Sequence, residues 1–160
     1  IESIYNQAID AGFEGIMIKD TEDAYMPGKR KWVKHKPPTI DLDVVITGAR
    51  YGSGKRADVF GSFDIAVKGG DDFISVGSIG TGFSDTDLYK LTQTLRKIID
   101  SHEGGQYDVL PRIVLEVKAD LVSRNDDGGY GLRFPRCKRI RDDKPVSDIN
   151  TIDDVIRLCI

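Results

Sequence analysis

The sequence has 160 residues, of which 39% are hydrophobic and 31% are charged, a composition typical of globular domains. It lacks the run of ~20 apolar residues that a membrane helix needs, and its first residues lack the basic and apolar blocks of a secretion signal. The composition therefore excludes a membrane-spanning chain, and we expect neither a secretion precursor nor a partner in a membrane.

The first 38 residues predict a helix followed by two strands. An amphipathic helix around Ile4, Ala8 and Ile9 ends at Gly12, which is a typical carboxy-terminal cap. After it come a strand over residues 13–19, a polar loop over 20–30 that contains Pro27-Gly28, and a second strand over 31–36. Because the sequence lacks an initial Met and a helix begins at once, we expect a piece of a longer protein.

Pro37-Pro38 follows the second predicted strand. Consecutive prolines form a stiff, extended connector, so we place a domain boundary here. The predicted domains are residues 1–38 and residues 39–160.

Residues 39–160 change to short β segments separated by glycines. Strands are predicted over 42–49, 59–68, 73–79, 113–121 and 132–140, and the second and third form a hairpin through 69–72. Ser84 and Asp87 predict the start of a helix, with an apolar stripe of Leu88, Leu91, Leu95, Ile98 and Ile99. Asn150-Thr151 begins a last helix with Val155, Ile156 and Cys159 turned inward. The fold class is thus mainly β, a five-stranded Greek-key OB-fold barrel with one inserted helix.

The formal net charge of −3 is unevenly distributed. Residues 29–36 carry +5 and residues 133–144 carry +4, which leaves −12 for the rest. Two basic segments in an acidic chain are typical of a protein that binds phosphates on one face. A basic segment can equally be a solvated surface, so charge alone leaves both interpretations open.

The cysteines argue against a zinc site. Cys137 and Cys159 lack Cys-x-x-Cys spacing, and the sequence has only two histidines, so the four ligands of a structural zinc ion are not supplied. We expect a reduced, intracellular compartment.

Two segments of the first domain have residue types suited to phosphate chemistry. Glu14 could hold a divalent metal while Lys19 reaches a phosphate, although an edge strand with charged ends would look the same. Lys34 and Lys36 lie on one face of the second strand with Trp32 and could clamp a phosphate. Lysines on an edge strand also deter aggregation, so here too a structural explanation stays open.

A third segment concentrates arginine near the end of the chain. Its basic side chains surround Phe134 and Pro135, and they are Arg133, Arg136, Arg139, Arg141 and Lys144. Guanidinium groups bind phosphate oxygens through paired hydrogen bonds. This density favours DNA or polyphosphate binding over a solvated face.

In this order, EGIMIK at 14–19, KWVKHK at 31–36 and RFPRCKRIRDDK at 133–144 resemble motifs IV, V and VI of the ATP-dependent DNA ligases. Residues 48–57, 79–84 and 115–121 are similar to parts of the OB domain of that family. The resemblance favours the archaeal and eukaryotic type. It implies that residues 1–38 are a helix-strand-strand remnant of the α+β nucleotidyl-transferase domain, which is the adenylation domain.

The resemblance also implies roles for individual residues. Glu14 would lie near Mg²⁺ and the adenylate, with Lys19 beside the cofactor, and Lys34 and Lys36 would contact the α-phosphate of ATP. Motif VI has the core R-x-D-K, matched by Arg141, Asp143 and Lys144, and its basic members orient the leaving pyrophosphate. Residues assigned to DNA or phosphate contact are Arg133, Arg136, Arg139, Lys55 and Arg56.

The implied activity is the sealing of nicks in duplex DNA through enzyme-lysine-AMP and DNA-adenylate intermediates. The nucleophile of the family is a lysine in a K-x-D-G motif, which these 160 residues lack, so we expect this piece to be inactive alone. Expected partners are nicked duplex DNA, the rest of the ligase chain and a sliding clamp, in the cytoplasm (nucleoid) of a prokaryote or the nucleus of a eukaryote. A non-catalytic OB module that binds nucleic acid, or a relative of the RNA-capping guanylyltransferases, is the alternative.

Overall fold

The computed structural model describes residues 1–24, 26–29 and 31–159. Its contacts divide the chain into two compact units, Ile1–Pro38 and Thr39–Ile160. The assignment of these units to two ligase domains stays a prediction from the sequence.

The first unit contains one helix and a two-stranded antiparallel sheet. Its elements are α1 (Glu2–Asp10), β1 (Ile16–Ile18) and β2 (Val33–His35). Gly12 has a φ of 82° and donates its N–H to the Ile9 carbonyl at 2.9 Å, so glycine ends the helix as predicted. Both strands are shorter than predicted. Gly15 crosses β2 so closely that a Cβ atom there would lie 2.2 Å from the His35 carbonyl oxygen.

The second unit is built around one curved antiparallel sheet. The strands of this unit are β3 (Ile40–Tyr51), β4 (Phe60–Gly69), β5 (Asp72–Ile79), β6 (Ile99–Glu103), β7 (Gln106–Val109), β8 (Val114–Ala119), β9 (Leu121–Arg124), β10 (Tyr130–Arg133) and β11 (Arg136–Ile140). Of these, β9 and β10 form a separate two-stranded sheet. The main path of the sheet is β11-β8-β3-β4-β5. Helix α2 (Asp85–Arg96) follows β5, and α3 (Ile152–Leu158) follows β11. The predicted class, a mainly β OB-type barrel with an inserted helix, is confirmed.

Alternation of side chains places the core on one face of this sheet. Along β3, Leu42, Val44 and Ile46 are buried, whereas Asp41 and Asp43 alternate with them on the outer face. The inner side chains pack with residues from the other strands and from α2, chiefly Phe60, Phe63, Ile65, Leu88, Leu95 and Leu115. The same alternation therefore buries an apolar core and leaves charged side chains outside.

The barrel closes where the segment after β5 meets β11. The Cys137 N–H donates to the Thr81 carbonyl at 2.9 Å, and the Thr81 hydroxyl donates to the Pro135 carbonyl at 3.1 Å. Gly82, with a φ of 87°, lies against the backbone of Cys137. This contact joins the two ends of the strand path.

The carboxy-terminal segment fills the gap where β3 and β4 separate. Asn150 donates its N–H to the Asp43 carbonyl at 3.0 Å, and its side-chain Oδ1 accepts the Asp43 N–H at 2.7 Å. On the other side, the Asn150 carbonyl accepts the Lys68 N–H at 3.0 Å. Thr151 then caps α3, as predicted, and the Asp154 carboxylate accepts from its backbone. Residues after motif VI are therefore part of the barrel.

Several local predictions were wrong. Residues 132–140 form two strands instead of one, because the backbone turns at Phe134, which has a φ of 50°, and the following Pro135 has no N–H to donate. Hairpin β6-β7 and strand β9 were not predicted. Helix α2 ends at Arg96, so Ile98 and Ile99 lie beyond its apolar stripe. The side chain of Ile156 is 45% exposed and not turned inward.

Thr92 links α2 to β4 inside the core. It is fully buried, its hydroxyl accepts the Phe60 N–H at 2.9 Å, and it donates to the Leu88 carbonyl.

Thr92→Val keeps the shape of the side chain but leaves the Phe60 N–H without this partner, so we expect a loss of about 1–3 kcal/mol in the free energy of unfolding. Urea unfolding of the 160-residue chain would measure it. Thr94→Val is the matched control, because Thr94 makes the same kind of helix bond while exposed, and it should change stability by less than about 0.5 kcal/mol. Equal effects would contradict the role of Thr92.

Candidate nucleotide and nucleic-acid site

Charged side chains form rows across the outer faces of β3, β8 and β11. The strand register aligns Asp43 with Glu116, and Glu116 with Arg139. The turn after β11 adds further charges to this row. We call the following set the outer charge cluster: Asp43, Glu116, Lys138, Arg139, Arg141, Asp143 and Lys144. It contains the R-x-D-K core of motif VI and the carboxylates that pair with its cations.

A β-bulge lets two cations share Glu116. The register between β8 and β11 shifts between Cys137 and Arg139, and the extra residue brings both Lys138 and Arg139 onto the Glu116 carboxylate. The Lys138 Nζ lies 3.0 Å from it. These hydrogen bonds, with that of Arg139 the strongest, lower the pKa of Glu116 to about 2. Glu116 is therefore ionised at all physiological pH values.

Arg141 lies at the centre of the cluster, and each of its guanidinium nitrogens faces a carboxylate. Its Nε and Nη2 donate to the two oxygens of Asp143 at 2.9 and 3.0 Å, which lowers the pKa of Asp143 to about 2. Its Nη1 lies 3.5 Å from Asp43 and 3.7 Å from Glu116. The Arg141 side chain is only 17% exposed. Its guanidinium is therefore held in one position by carboxylates from β3, β8 and the turn after β11.

Lys144 is held less completely. Its Nζ donates to Asp43 Oδ2 at 2.6 Å, and its side chain is 27% exposed. An ammonium group has three N–H donors. The structure thus brings the predicted residues Arg141, Asp143 and Lys144 together, with one cation enclosed and one accessible.

The sequence interpretation did not predict Asp43 and Glu116 as site residues, because both lie outside the three segments that carry the motifs. Their signal was present as alternation, because charged Asp41 and Asp43 flank Leu42 in β3, and Glu116 and Lys118 flank Val117 in β8. A charged outer face on neighbouring strands predicts cross-strand ion pairs. Which carboxylate meets which cation required the register.

The arginines at the start of motif VI lie around a sharp bend. The Arg136 guanidinium donates to Asp120 at 3.2 Å and to the Phe134 carbonyl at 3.1 Å. The guanidinium of Arg133 lies 5.4 Å from the centre of the Phe134 ring. Phe134 itself is 62% exposed. The bend therefore presents an aromatic side chain between arginines.

The structure places Lys55 and Arg56 in a short 3-10 turn, Gly54–Arg56, between β3 and β4. The Arg56 guanidinium lies 3.1 Å from the Asp85 carboxylate in the first turn of α2. Both partners are exposed, so this ion pair contributes little to stability. The cation remains accessible to a phosphate.

The first unit brings motifs IV and V into one sheet. Met17 of β1 pairs with Lys34 of β2, and the Lys19 ammonium lies 4.1 Å from the centre of the Trp32 ring. Trp32, Met17 and Lys34 also line an open pocket of about 740 Å³. Glu14 precedes β1 and Lys36 follows β2, so the predicted residues flank the same hairpin-like pair. Arg30, which counted toward the first basic segment, and Tyr25 of the predicted loop lie outside the described residues.

Two further findings concern metals and membranes. Within residues 1–24, 26–29 and 31–159, no group of three or more histidine, cysteine or acidic side chains could hold a metal ion. Across the same residues, every helix is too short or too polar to span a bilayer. Burial raises the pKa of the Cys137 thiol to about 12, which makes it a core residue instead of a thiolate ligand.

The low pKa of Glu116 predicts acid sensitivity of the barrel. A carboxylate whose pKa falls from 4.5 to about 2 on folding stabilises the fold fully above pH 4.5, and this contribution is lost as the pH falls toward 2. We expect the wild-type chain to be more stable than Glu116→Gln at pH 7, and the difference to shrink between pH 4.5 and 2. Urea unfolding at several pH values would measure it. In a background with Lys138→Ala and Arg139→Ala the difference should vary much less with pH, and a constant wild-type difference would contradict the prediction.

Comparison with known families identifies the chain. The family described as the ATP dependent DNA ligase C terminal region matches residues 56–144, more than half of the chain. The ATP dependent DNA ligase domain matches residues 1–36. These two matches place the chain in the class of ATP-dependent ligases. It belongs to the family of ATP-dependent DNA ligases and represents a carboxy-terminal region of that family.

Individual relatives agree with this placement. DNA ligase 2 of Methanosarcina acetivorans is 41% identical over 99% of this chain and 29% of its own length. DNA ligase of Methanospirillum hungatei is 43% identical over 97% of this chain and 29% of its own length. The solved ligase domain of M. tuberculosis LigD has 26% identity and a TM-score of 0.63, covering 93% of this chain and 51% of that one. The chain spans about 29% of the length of these archaeal relatives.

Proposed function

We propose that this chain is the carboxy-terminal part of an enzyme that seals nicks in duplex DNA with ATP. Residues 1–38 would be the end of the adenylation domain, and residues 39–160 the OB domain. The observation that carries the proposal is the outer charge cluster, in which the motif VI residues Arg141 and Lys144 are fixed side by side on a barrel of the ligase family. A DNA ligase uses such cations to bind phosphates.

In the proposed mechanism, a lysine outside this chain attacks the α-phosphate of ATP and pyrophosphate leaves. AMP then passes to a 5′-phosphate at the nick, and the 3′-hydroxyl displaces it. The protein contributes mainly by alignment of the groups and by neutralisation of charge. Lys34 and Lys36 would contact the α-phosphate, with Lys19 near the cofactor, while Lys144 would contact the departing pyrophosphate beside Arg141 and Asp143. A solved mycobacterial DNA ligase D, similar to 94% of this chain with a TM-score of 0.57, is complexed with ATP.

Mg²⁺ fits this proposal through a single protein ligand. Glu14 supplies one carboxylate at the entry of β1, and Mg²⁺ is commonly bound by one or two carboxylates together with substrate phosphates and water. When bound, the ion neutralises phosphate charge. The rest of the alignment would come from the lysines of β2 and its flanks.

DNA would contact the basic residues outside the enclosed part of the cluster. We assign this role to Arg133, Arg136, Arg139, Lys55 and Arg56. Arg136, Arg139 and Arg56 are paired with carboxylates in this structure, so DNA binding would exchange those partners for phosphates. Binding that exchanges ion pairs should weaken steeply with salt.

The proposal extends to the surroundings of the complete protein. The rest of the ligase chain would supply the nucleophile and the other side of the adenylate site, and a sliding clamp is a further proposed partner. The archaeal relatives favour the cytoplasm, at the nucleoid, as the compartment. In the first unit Ile4 is 62% and Phe13 is 67% exposed, which fits a segment that packs against the remainder of its domain.

The test uses the complete protein that contains this chain. We expect it to incorporate labelled AMP from ATP and to seal a nicked duplex, and the 160-residue piece to do neither. Replacing the K-x-D-G lysine by Ala should abolish AMP incorporation while leaving DNA binding intact. A complete protein that binds nucleic acid but never forms an AMP adduct would contradict the proposal and favour the non-catalytic OB module, whereas a clear preference for GTP would favour a capping enzyme.

A further inference from the structure

We propose that Asp43, a residue outside every recognised motif, is a positioning residue for the motif VI cations, and that it fixes Lys144 where the leaving pyrophosphate is to be bound. This inference rests on the proposed function, because it gives Asp43 a part in the same adenylation step. It adds a residue of β3 to a site otherwise defined by the segment after β11.

The geometry places Asp43 under both cations. Its Oδ2 accepts from the Lys144 ammonium at 2.6 Å, and its Oδ1 lies 3.5 Å from Nη1 of Arg141. The Asp43 side chain is only 14% exposed, so little water competes for these contacts. One carboxylate thus sets the separation of the two cations.

Asp43 is itself held more firmly than an ordinary strand residue. Its N–H donates to the side chain of Asn150 at 2.7 Å, and its carbonyl accepts from the backbone of Asn150 at 3.0 Å. The side chain of Asn150 also donates to Asp154 in the cap of α3 at 3.0 Å. On its other edge, β3 pairs Asp43 with Glu116 of β8. The backbone that carries this carboxylate is therefore held by Asn150 on one edge of β3 and by β8 on the other.

The chemistry of the two cations explains why a fixed carboxylate is useful. Every guanidinium nitrogen of Arg141 already faces an acidic side chain, so the role of Arg141 is to hold the carboxylates together. Lys144 uses one ammonium N–H on Asp43 and retains donors for phosphate. A lysine side chain is otherwise a flexible point charge, so the Asp43 contact reduces the number of positions from which it can meet the leaving group. Positioning of this kind raises the rate more than the affinity.

Asp41 provides a matched control on the same strand. It lies on the same outer face two residues earlier and pairs with Lys118 at 3.8 Å, whereas Asp43 pairs with Lys144. Its side chain is 45% exposed. Asp41→Asn and Asp43→Asn remove the same charge from the same strand, and only the second removes the ion pair with Lys144.

The experiment measures two reactions of the complete ligase. The first is self-adenylation with labelled ATP, which releases pyrophosphate, and the second is sealing of a nick that already carries AMP, which releases none. We expect Asp43→Asn to lower kcat for self-adenylation about 10-fold, with a change below about threefold in the KM for ATP. We expect sealing of the adenylated nick to stay within about twofold of wild type, and Asp41→Asn to behave as wild type in both reactions. Asp43→Glu, which keeps the carboxylate, should recover part of the lost rate.

Each outcome decides a different question. Equal losses in both reactions, with a lower melting temperature for Asp43→Asn, would overturn the positioning role in favour of a structural one. Unchanged or faster self-adenylation would also overturn it, because Asp43 would then only compete with phosphate for Lys144. If the wild-type protein formed no AMP adduct, the proposed function would fail, and this inference would fail with it.

Discussion

Lys144→Ala in the complete ligase should reduce self-adenylation by about 100-fold, because removal of one fixed donor to developing charge typically costs that much. Lys144 is the more accessible of the two cations in the R-x-D-K core, and its ammonium is paired with Asp43. The loss should appear in kcat, since the leaving pyrophosphate gains charge as its bond to the α-phosphate breaks. Labelled AMP incorporation at saturating ATP would measure it.

Two further variants test whether the loss is specific to the cations of motif VI. Lys118→Ala removes a lysine from the same outer face, paired with Asp41, and should leave self-adenylation within about twofold of wild type. Arg141→Ala should match the loss of Lys144→Ala and also lower the melting temperature, because Asp43, Asp143 and Glu116 would lose a shared partner. Undiminished AMP incorporation by Lys144→Ala would contradict the assignment of motif VI.

Gly82→Ala should destabilise the 160-residue chain by at least about 3 kcal/mol, through a steric clash added to backbone strain. A Cβ at Gly82 would lie 2.3 Å from the Cys137 carbonyl oxygen and 2.7 Å from its nitrogen. Both atoms are backbone, so no side chain can turn away. The methyl group would push β11 from the segment after β5 and break the bond from Cys137 N–H to Thr81 that closes the barrel.

Gly128→Ala is the matched control for backbone strain. Gly128 has a φ of 86° against 87° for Gly82, but a Cβ there would meet nothing within 4 Å. Its substitution should therefore cost only about 1–2 kcal/mol from the left-handed backbone conformation. Urea unfolding would measure the free energy of unfolding of both variants, and the difference between their losses gives the cost of the steric clash. Equal losses would contradict a close contact at Gly82.

Much of the barrel could be predicted because its signals are local. The hairpin of β4 and β5 follows from Gly70-Asp71 between alternating strands, and the start of α2 follows from Ser84, whose side chain accepts from the backbone of Asp87. These features depend on residues a few positions apart. The Gly104-Gly105 pair gave an equally local signal for the β6-β7 hairpin, but its flanking residues are too polar to read as strands.

The break between β10 and β11 and the roles of Asp43 and Glu116 could not be predicted, because they depend on tertiary contacts. Arg133 and Arg136 read as members of one continuous strand, yet β10 pairs with β9 whereas β11 pairs with β8, so the chain must turn between them. The roles of Asp43 and Glu116 depend on the same pairing, since Asp43 meets residues about 100 positions away. Spacing within one segment cannot reveal a partner on another strand.

The contact between Asn150 and β3 has a practical consequence for where such a chain can be cut. A polypeptide that stopped at Lys144 would retain every recognised motif and would end where the family match ends. It would nevertheless lack the residue that bridges Asp43 and Lys68 across the gap between β3 and β4. A chain trimmed at the motif boundary would therefore lack the backbone hydrogen bonds that hold β3 at Asp43, the residue that pairs with Lys144.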